Sequence, residues 1–157
     1  MSTVVYPVAP MPAEETVKPV SRLTLGSRLE DLTLLWRWVE ARSAEHAIPP
    51  DTEFAIQLCL EEAVSNIIRH GYGGHPGHAL TVETIPAETG NLVFRIEDQA
   101  APFNPLDEPD EPPALKSIDD LPPGGQGIRL LRKFAGTITY ERLAGGNRLT
   151  IGFRLPR

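Results

Sequence analysis

The sequence predicts an α+β sandwich, a two-layer fold with a mixed, mainly antiparallel sheet and helices on one face. Three observations carry this reading. Segments alternating apolar and polar residues in the middle and at the end of the chain fall into two hairpins. Two long stretches with helical apolar spacing precede the first hairpin, and a short one separates the two. The resulting order, β-α-α-β-β-loop-α-β-β, groups strands in pairs instead of alternating single strands with helices, which favours antiparallel pairing.

A chain of 157 residues suffices for one domain with a real core. Its 41% hydrophobic and 23% charged residues are ordinary for a globular protein. The formal net charge of −6 argues against direct nucleic-acid binding, which needs a basic face. No apolar run approaches the roughly 18 residues of a membrane span, and the start has no basic-then-apolar leader pattern. Cys59 is the single cysteine, so no intrachain disulfide is possible, and a cytoplasmic location is the expectation.

Residues 1–19 hold four of the 16 prolines and no sustained period, so they read as a flexible tail. The domain is then expected over residues 20–157. Val20 to Leu25 alternates as a short strand. Ser27-Arg-Leu-Glu30 has capping-box spacing, and Leu29, Leu32, Trp36 and Val39 follow at helical spacing to about Ala44. Trp36 shares this stripe and is expected in the core; Trp38 points elsewhere and is expected to be partly exposed. After Ile48-Pro-Pro50, Asp51 is positioned to cap a second helix. Phe54, Leu58, Val64 and Ile67 give it an apolar side, and it ends near Gly71. Ala79–Ile85 and Leu92–Glu97 form the first hairpin. Residues 99–123 are rich in proline and acids, and so long an irregular stretch in a small domain is often functional. A helix over Ile128–Phe134 and a second hairpin, Thr137–Leu143 with Arg148–Leu155, close the chain.

Three places can hold chemistry. Glu62 and Asn66 are i and i+4 and share a helix face, which His70 continues. A carboxylate and an amide oxygen so placed can meet a hard cation such as Mg²⁺ or orient a hydroxyl; the ordinary alternative is a solvated pair. Asp98 ends an apolar strand, where it can accept from an exocyclic amine such as that of adenine, or simply begin a turn. Gly124-Gly-Gln-Gly127 opens a helix, where backbone N–H groups and the helix N-terminus suit phosphates, with Arg129, Arg132 or Lys133 adding charge; a plain hinge is the alternative. His70, His75 and His78 lack the Cys/His spacing of a zinc site. There is no G-x-x-x-x-G-K-[ST] loop, and the glycine-rich turn does not follow a strand as dinucleotide binding requires.

In order, these segments resemble the three boxes of the GHKL ATPase superfamily, and more closely its anti-sigma-factor serine kinase branch. Glu62–Tyr72 (EAVSNIIRHGY) resembles that branch's E-A-x-x-N-x-x-x-H-x-Y. Asp98–Pro105 resembles D-x-G-x-P-F-[DN]-P, with Ala100 at the glycine. Gly124–Leu131 (GGQGIRLL) resembles G-G-x-G-[IL]-x-[LI]-[VIM]. The closing hairpin, from Tyr140-Glu-Arg to Gly-Asn-Arg-Leu-Thr150, is similar to the family's ending. The resemblance implies a histidine-kinase-like ATPase fold that binds ATP and Mg²⁺. It implies Asn66 on the metal and Glu62 as general base toward a serine. It also implies Asp98, with Ala100 and Phe103 beside it, on adenine. Gly124, Gly125, Gly127 and Ile128 would lie at the phosphates, with residues 106–123 as the ATP lid. It further implies a homodimer that phosphorylates a STAS-type anti-sigma-factor antagonist and has a sigma factor or similar regulator as its other partner. A methyl at Ala100 fits if its φ is negative and otherwise narrows the adenine pocket. An ATP-binding regulator that only sequesters a partner is the rival reading.

Overall fold

The computed structural model describes residues 2–5, 21–107 and 127–156. Its elements are β1 (Ser2–Val5), β2 (Ser21–Gly26), α1 (Leu32–Glu45), α2 (Pro50–Asn66), β3 (Ala79–Ile85), β4 (Asn91–Asp98), α3 (Gly127–Phe134), β5 (Thr137–Leu143) and β6 (Gly146–Arg154). Six strands form one sheet in the order β1-β5-β6-β4-β3-β2, and every pairing is antiparallel.

Period-two alternation sends Leu80 and Val82 of β3, Leu92, Phe94 and Ile96 of β4, and Leu149, Ile151 and Phe153 of β6 to one face. There they form one core with Leu35 and Val39 of α1 and Ile56, Leu60 and Val64 of α2. Phe94 is fully buried and meets Trp38 and Phe153 edge-on, at centroid distances of 6.0 and 5.9 Å.

The other face carries charge. The register sets Arg22 opposite Glu83, Glu83 opposite Arg95, and Glu97 opposite Arg148. The result is an alternating ladder, Arg22–Glu83–Arg95–Glu97–Arg148–Glu141, that crosses five strands.

Several expectations are corrected. Ser2–Val5 pairs with β5 as an edge strand, its β-branched Thr3-Val-Val completing the sheet, so the tail reading fails for these residues; residues 6–20 lie outside the described residues. Ser27 caps no helix. Its hydroxyl instead joins the His75 carbonyl (2.7 Å) to the His78 N–H (3.1 Å), and a 3₁₀ turn, Leu29–Asp31, precedes α1. Leu32, Leu35, Val39 and Ser43 face the core, and Trp36 is 41% exposed, its indole N–H donating to Glu61 (3.2 Å). Trp38, not Trp36, packs on the core. Asp51 lies inside the first turn of α2, because Pro49 precedes the helix and Pro50 opens it. Phe54 is 61% exposed and outside the core.

Candidate functional site

Asp98 is the last residue of β4, on the core face but at the sheet's end, and only 7% exposed. Its Oδ1 accepts from the Ala100 N–H (2.9 Å) and from Asn147 Nδ2 (2.8 Å). Its Oδ2 takes neither bond, so it is the oxygen available to a ligand's amine. The β4–β6 register creates the second bond by placing Asn147 directly opposite Asp98. Gly146 allows this approach, since a Cβ there would collide with the Asp98 carbonyl.

Ala100 follows with a negative φ and a buried methyl. The methyl faces Gly71, where an added Cβ would stand 3.0 Å from it. The loop then reaches Phe103, whose ring stacks on His70 at 5.7 Å and 26°. Pro105–Asp107 makes a 3₁₀ turn that buries Leu106, and Arg132 of α3 donates to the Leu106 carbonyl (3.0 Å).

The end of α2 supplies the opposite wall. The helix finishes in a π turn over Ile67–Gly71, closed by Tyr72 N–H to the Ile67 carbonyl (2.8 Å). His70 lies in this wider turn, where its ring meets Phe103. The Tyr72 hydroxyl donates to the Ala79 carbonyl (2.7 Å) and accepts from the Gln99 N–H (2.9 Å), fastening α2 to the ends of β3 and β4. Burial raises the Tyr72 phenol; the Gln99 N–H offsets part of this, and the Asp98 charge adds to the rise.

Glu62 and Asn66 lie one turn apart on α2, and Asn66 is buried. Glu62 Oε2 is buried with no hydrogen-bond partner among the described residues. Burial raises its carboxyl above the ordinary carboxylate range; Arg69 counters this in part, and Glu61 adds to the rise. Burial, then the Glu62 charge, pushes the Cys59 thiol up to about 12, so it is protonated and unreactive at neutral pH.

α3 begins at Gly127, with Ile128 in its first turn, and packs against α2. Leu131 is buried, while Arg129 and Lys133 are exposed. Gly124 and Gly125 lie outside the described residues, as does the expected lid beyond Asp107.

The structure therefore brings Asp98, Ala100 and Phe103 against the end of the helix that carries Glu62 and Asn66. A carboxylate oxygen left open, a hard carboxylate–amide donor pair and a helix N-terminus suit an amine, a divalent cation and phosphates respectively. The sequence reading missed Asn147 and the fastening role of Tyr72. Asn147 sits in Gly-Gly-Asn, which reads as an ordinary hairpin turn; its one sequence signal is the similarity of this ending to the family's.

Comparison with known proteins agrees with this fold. A family profile described as histidine kinase-like ATPase domain matches residues 25–153. The chain is 33% identical over 115 residues to the serine/threonine-protein kinase BtrW of Bordetella bronchiseptica, covering 73% of this chain and 79% of that protein. It is 28% identical over 83 residues to the anti-sigma F factor of Oceanobacillus iheyensis, covering 53% and 56%. Its fold is similar to the solved RsbU and RsbW domains of Rv1364c from Mycobacterium tuberculosis, with a TM-score of 0.61 and 18% identity, covering 88% of this chain and 34% of that one. The chain thus spans about a third of the solved protein's length and somewhat over half that of the anti-sigma F factor.

Proposed function

The chain belongs to the histidine kinase-like ATPase domain family, and from that premise we propose that it is an ATP-dependent serine-protein kinase acting as an anti-sigma regulatory switch. The observation that carries the kinase reading is Glu62, whose buried Oε2 has no hydrogen-bond partner among the described residues and whose carboxyl is held basic by burial, one turn before Asn66. A base needs this: a carboxylate desolvated enough to take a proton, with an oxygen not already committed.

In this reading Asp98 accepts the adenine amine through Oδ2, with Ala100 and Phe103 forming the adjacent loop. Asn66 holds Mg²⁺ by its side-chain oxygen. Gly124, Gly125, Gly127 and Ile128 lie at the phosphates, and residues 106–123 form the lid of a domain spanning residues 20–157. When bound, Mg²⁺ would supply neutralisation of the phosphate charge. Glu62 takes the proton from a serine hydroxyl of the protein substrate as that oxygen bonds the γ-phosphorus and ADP leaves. Catalysis is then mostly positioning and electrostatics.

The substrate is a STAS-type antagonist domain, the second partner is a sigma factor or similar regulator, and the working unit is a homodimer in the cytoplasm. The names of the two relatives support the kinase and anti-sigma parts of this reading. No helix among the described residues is long and apolar enough to cross a membrane. The rival reading is a sequestering regulator without phosphoryl transfer; a methyl at Ala100 that narrowed the base pocket would favour it, but this methyl turns toward Gly71.

The test is calorimetric titration of Mg-ADP and Mg-ATP into the wild type, Asn66→Ala and Asp98→Asn, followed by a phosphorylation assay on a serine-bearing antagonist domain. Binding that weakens in both variants, with phosphate transferred by the wild type, supports the proposal. A folded wild type that binds neither nucleotide sinks it.

A further inference from the structure

The hydrogen bonds around Asn147 point to a role beyond the site residues named above. Asn147 is 4% exposed and lies between two sets of groups with opposite requirements. On one side are acceptors alone: Asp98 Oδ1 (2.8 Å), the Ala101 carbonyl (3.0 Å) and the Ala100 carbonyl (3.3 Å), all facing Nδ2. On the other side are donors: the Tyr140 hydroxyl (2.5 Å), Arg142 Nη1 (3.3 Å) and the Phe103 N–H (3.4 Å), all facing Oδ1. The Arg142 guanidinium and the Phe103 N–H can only donate, and the two carbonyls can only accept, so the amide has one possible orientation. Few side chains present a donor and an acceptor so close together. A carboxylate lacks the donor, an aliphatic side chain lacks both, and a hydroxyl is too short to reach across.

We propose that Asn147 is the positioning residue of the base pocket, holding Asp98 Oδ1 and the Ala100–Phe103 loop so that Asp98 Oδ2 alone meets the exocyclic amine of the nucleotide. The inference rests on the nucleotide reading of Asp98. It adds that the selecting carboxylate is aimed from β6. Tyr140 and Arg142 of β5 fix the amide in turn, and Arg142 Nη1 also holds the Ala100 carbonyl (2.8 Å).

The experiment is titration of Mg-ATP into the wild type, Asn147→Leu, Asn147→Asp and Tyr140→Phe, with melting curves as a check on folding. Asn147→Leu is expected to bind about tenfold or more weakly, because it strips buried polar partners on both sides. Tyr140→Phe keeps the shape and is expected to lose about threefold, the worth of one neutral hydrogen bond. Asn147→Asp sets a second carboxylate against Asp98, with Arg142 and Tyr140 at its far side. Binding should be weakest near about pH 8 and recover toward about pH 5.5, where the two carboxyls share a proton and a donor is restored. A residue with a merely structural role gives no such recovery. Folded Asn147 variants that bind within twofold of the wild type, with no pH-dependent rescue, overturn the inference while leaving the nucleotide site intact. If neither Asn147 variant folds, Tyr140→Phe decides, and wild-type affinity there overturns it. A folded wild type that binds no Mg-ATP overturns both readings together.

Discussion

The methyl of Ala100 and the bare Cα of Gly71 are complementary: a Cβ built on Gly71 would stand 3.0 Å from the Ala100 Cβ and 3.6 Å from Ile67 Cγ2. The motif expects a glycine at position 100; here the methyl stands at 100 and the glycine lies across the contact at 71. The negative φ of Ala100 turns its side chain onto the end of α2, which removes the reason to expect a narrowed base pocket.

The two positions should behave as a coupled pair. Gly71→Ala forces two methyls together and is expected to destabilise by about 1 kcal/mol, despite alanine's better helix propensity. In an Ala100→Gly background the same change should become neutral or stabilising, a coupling of about 1 kcal/mol or more. Denaturant melts of the four proteins complete the cycle. Additive effects would show that the contact relaxes without cost.

Glu62→Gln should separate chemistry from binding. Loss of a general base costs about 10²–10⁴ in rate, while nucleotide affinity should hold, because Asp98 and Asn66 are untouched. The wild-type rate should rise with pH through Glu62's raised pKa, since the base works ionised. Stability runs the other way. Burial raises the folded-state pKa above the unfolded one, so between them the native state binds more protons, and stability falls as pH climbs through that window. Glu62→Gln removes that fall, so its melting temperature should exceed the wild type's at neutral pH and converge with it in acid. Melting curves recorded across pH check this directly.

The same residues show what a sequence discloses. β3 was legible over Ala79–Ile85 because alternation is a local signal and Pro86 ends it. Asp98 was legible as a strand-end carboxylate for the same reason. Its partner Asn147 was not, because they lie 49 residues apart and meet only through the β4–β6 register. The misplacement of Trp36 has a different origin; Trp38 is partly exposed, as its position off the stripe predicts. Helical spacing gives a stripe's period but not which flank of it meets the core: Leu32 and Val39 are buried with Leu35 and Ser43 on one side, and Trp36 on the other is left exposed. The π turn that carries His70 lies in the hydrogen-bond pattern of the backbone and leaves no spacing to read.

Tyr72→Phe should loosen the base loop without unfolding the domain. The change deletes the hydroxyl that joins the Ala79 carbonyl to the Gln99 N–H, beside Asp98. The ring and its stack on His78, at 4.5 Å and 3°, remain. Losing these bonds at a partly wet strand end is expected to cost about 1 kcal/mol of stability. Amide exchange at Gln99 should quicken more than exchange at the centre of β4. Unchanged exchange there would mean that β4 holds its end without α2.

The ion ladder on the charged sheet face gives the sharpest energetic contrast. Glu83 is 3% exposed and accepts from Arg22 (2.5 Å) and Arg95 (2.6 Å), whose side chains are 57% and 17% exposed. Removing the centre leaves Arg95, 17% exposed, with Glu97 at 3.6 Å as its remaining ion-pair partner among the described residues. Glu83→Ala is therefore expected to cost about 2–3 kcal/mol, toward the lower end for a broken buried pair. Arg22→Ala takes away the exposed partner and should cost about 0.5 kcal/mol or less. Salt should discriminate further. The Arg22 contribution should fade as ionic strength rises past physiological, while the Glu83–Arg95 contribution persists, because screening reaches a buried pair far less. Urea melts at low and high salt measure both terms. Equal costs for the two substitutions would mean that the ladder works as a surface charge pattern and that Glu83 is not its anchor.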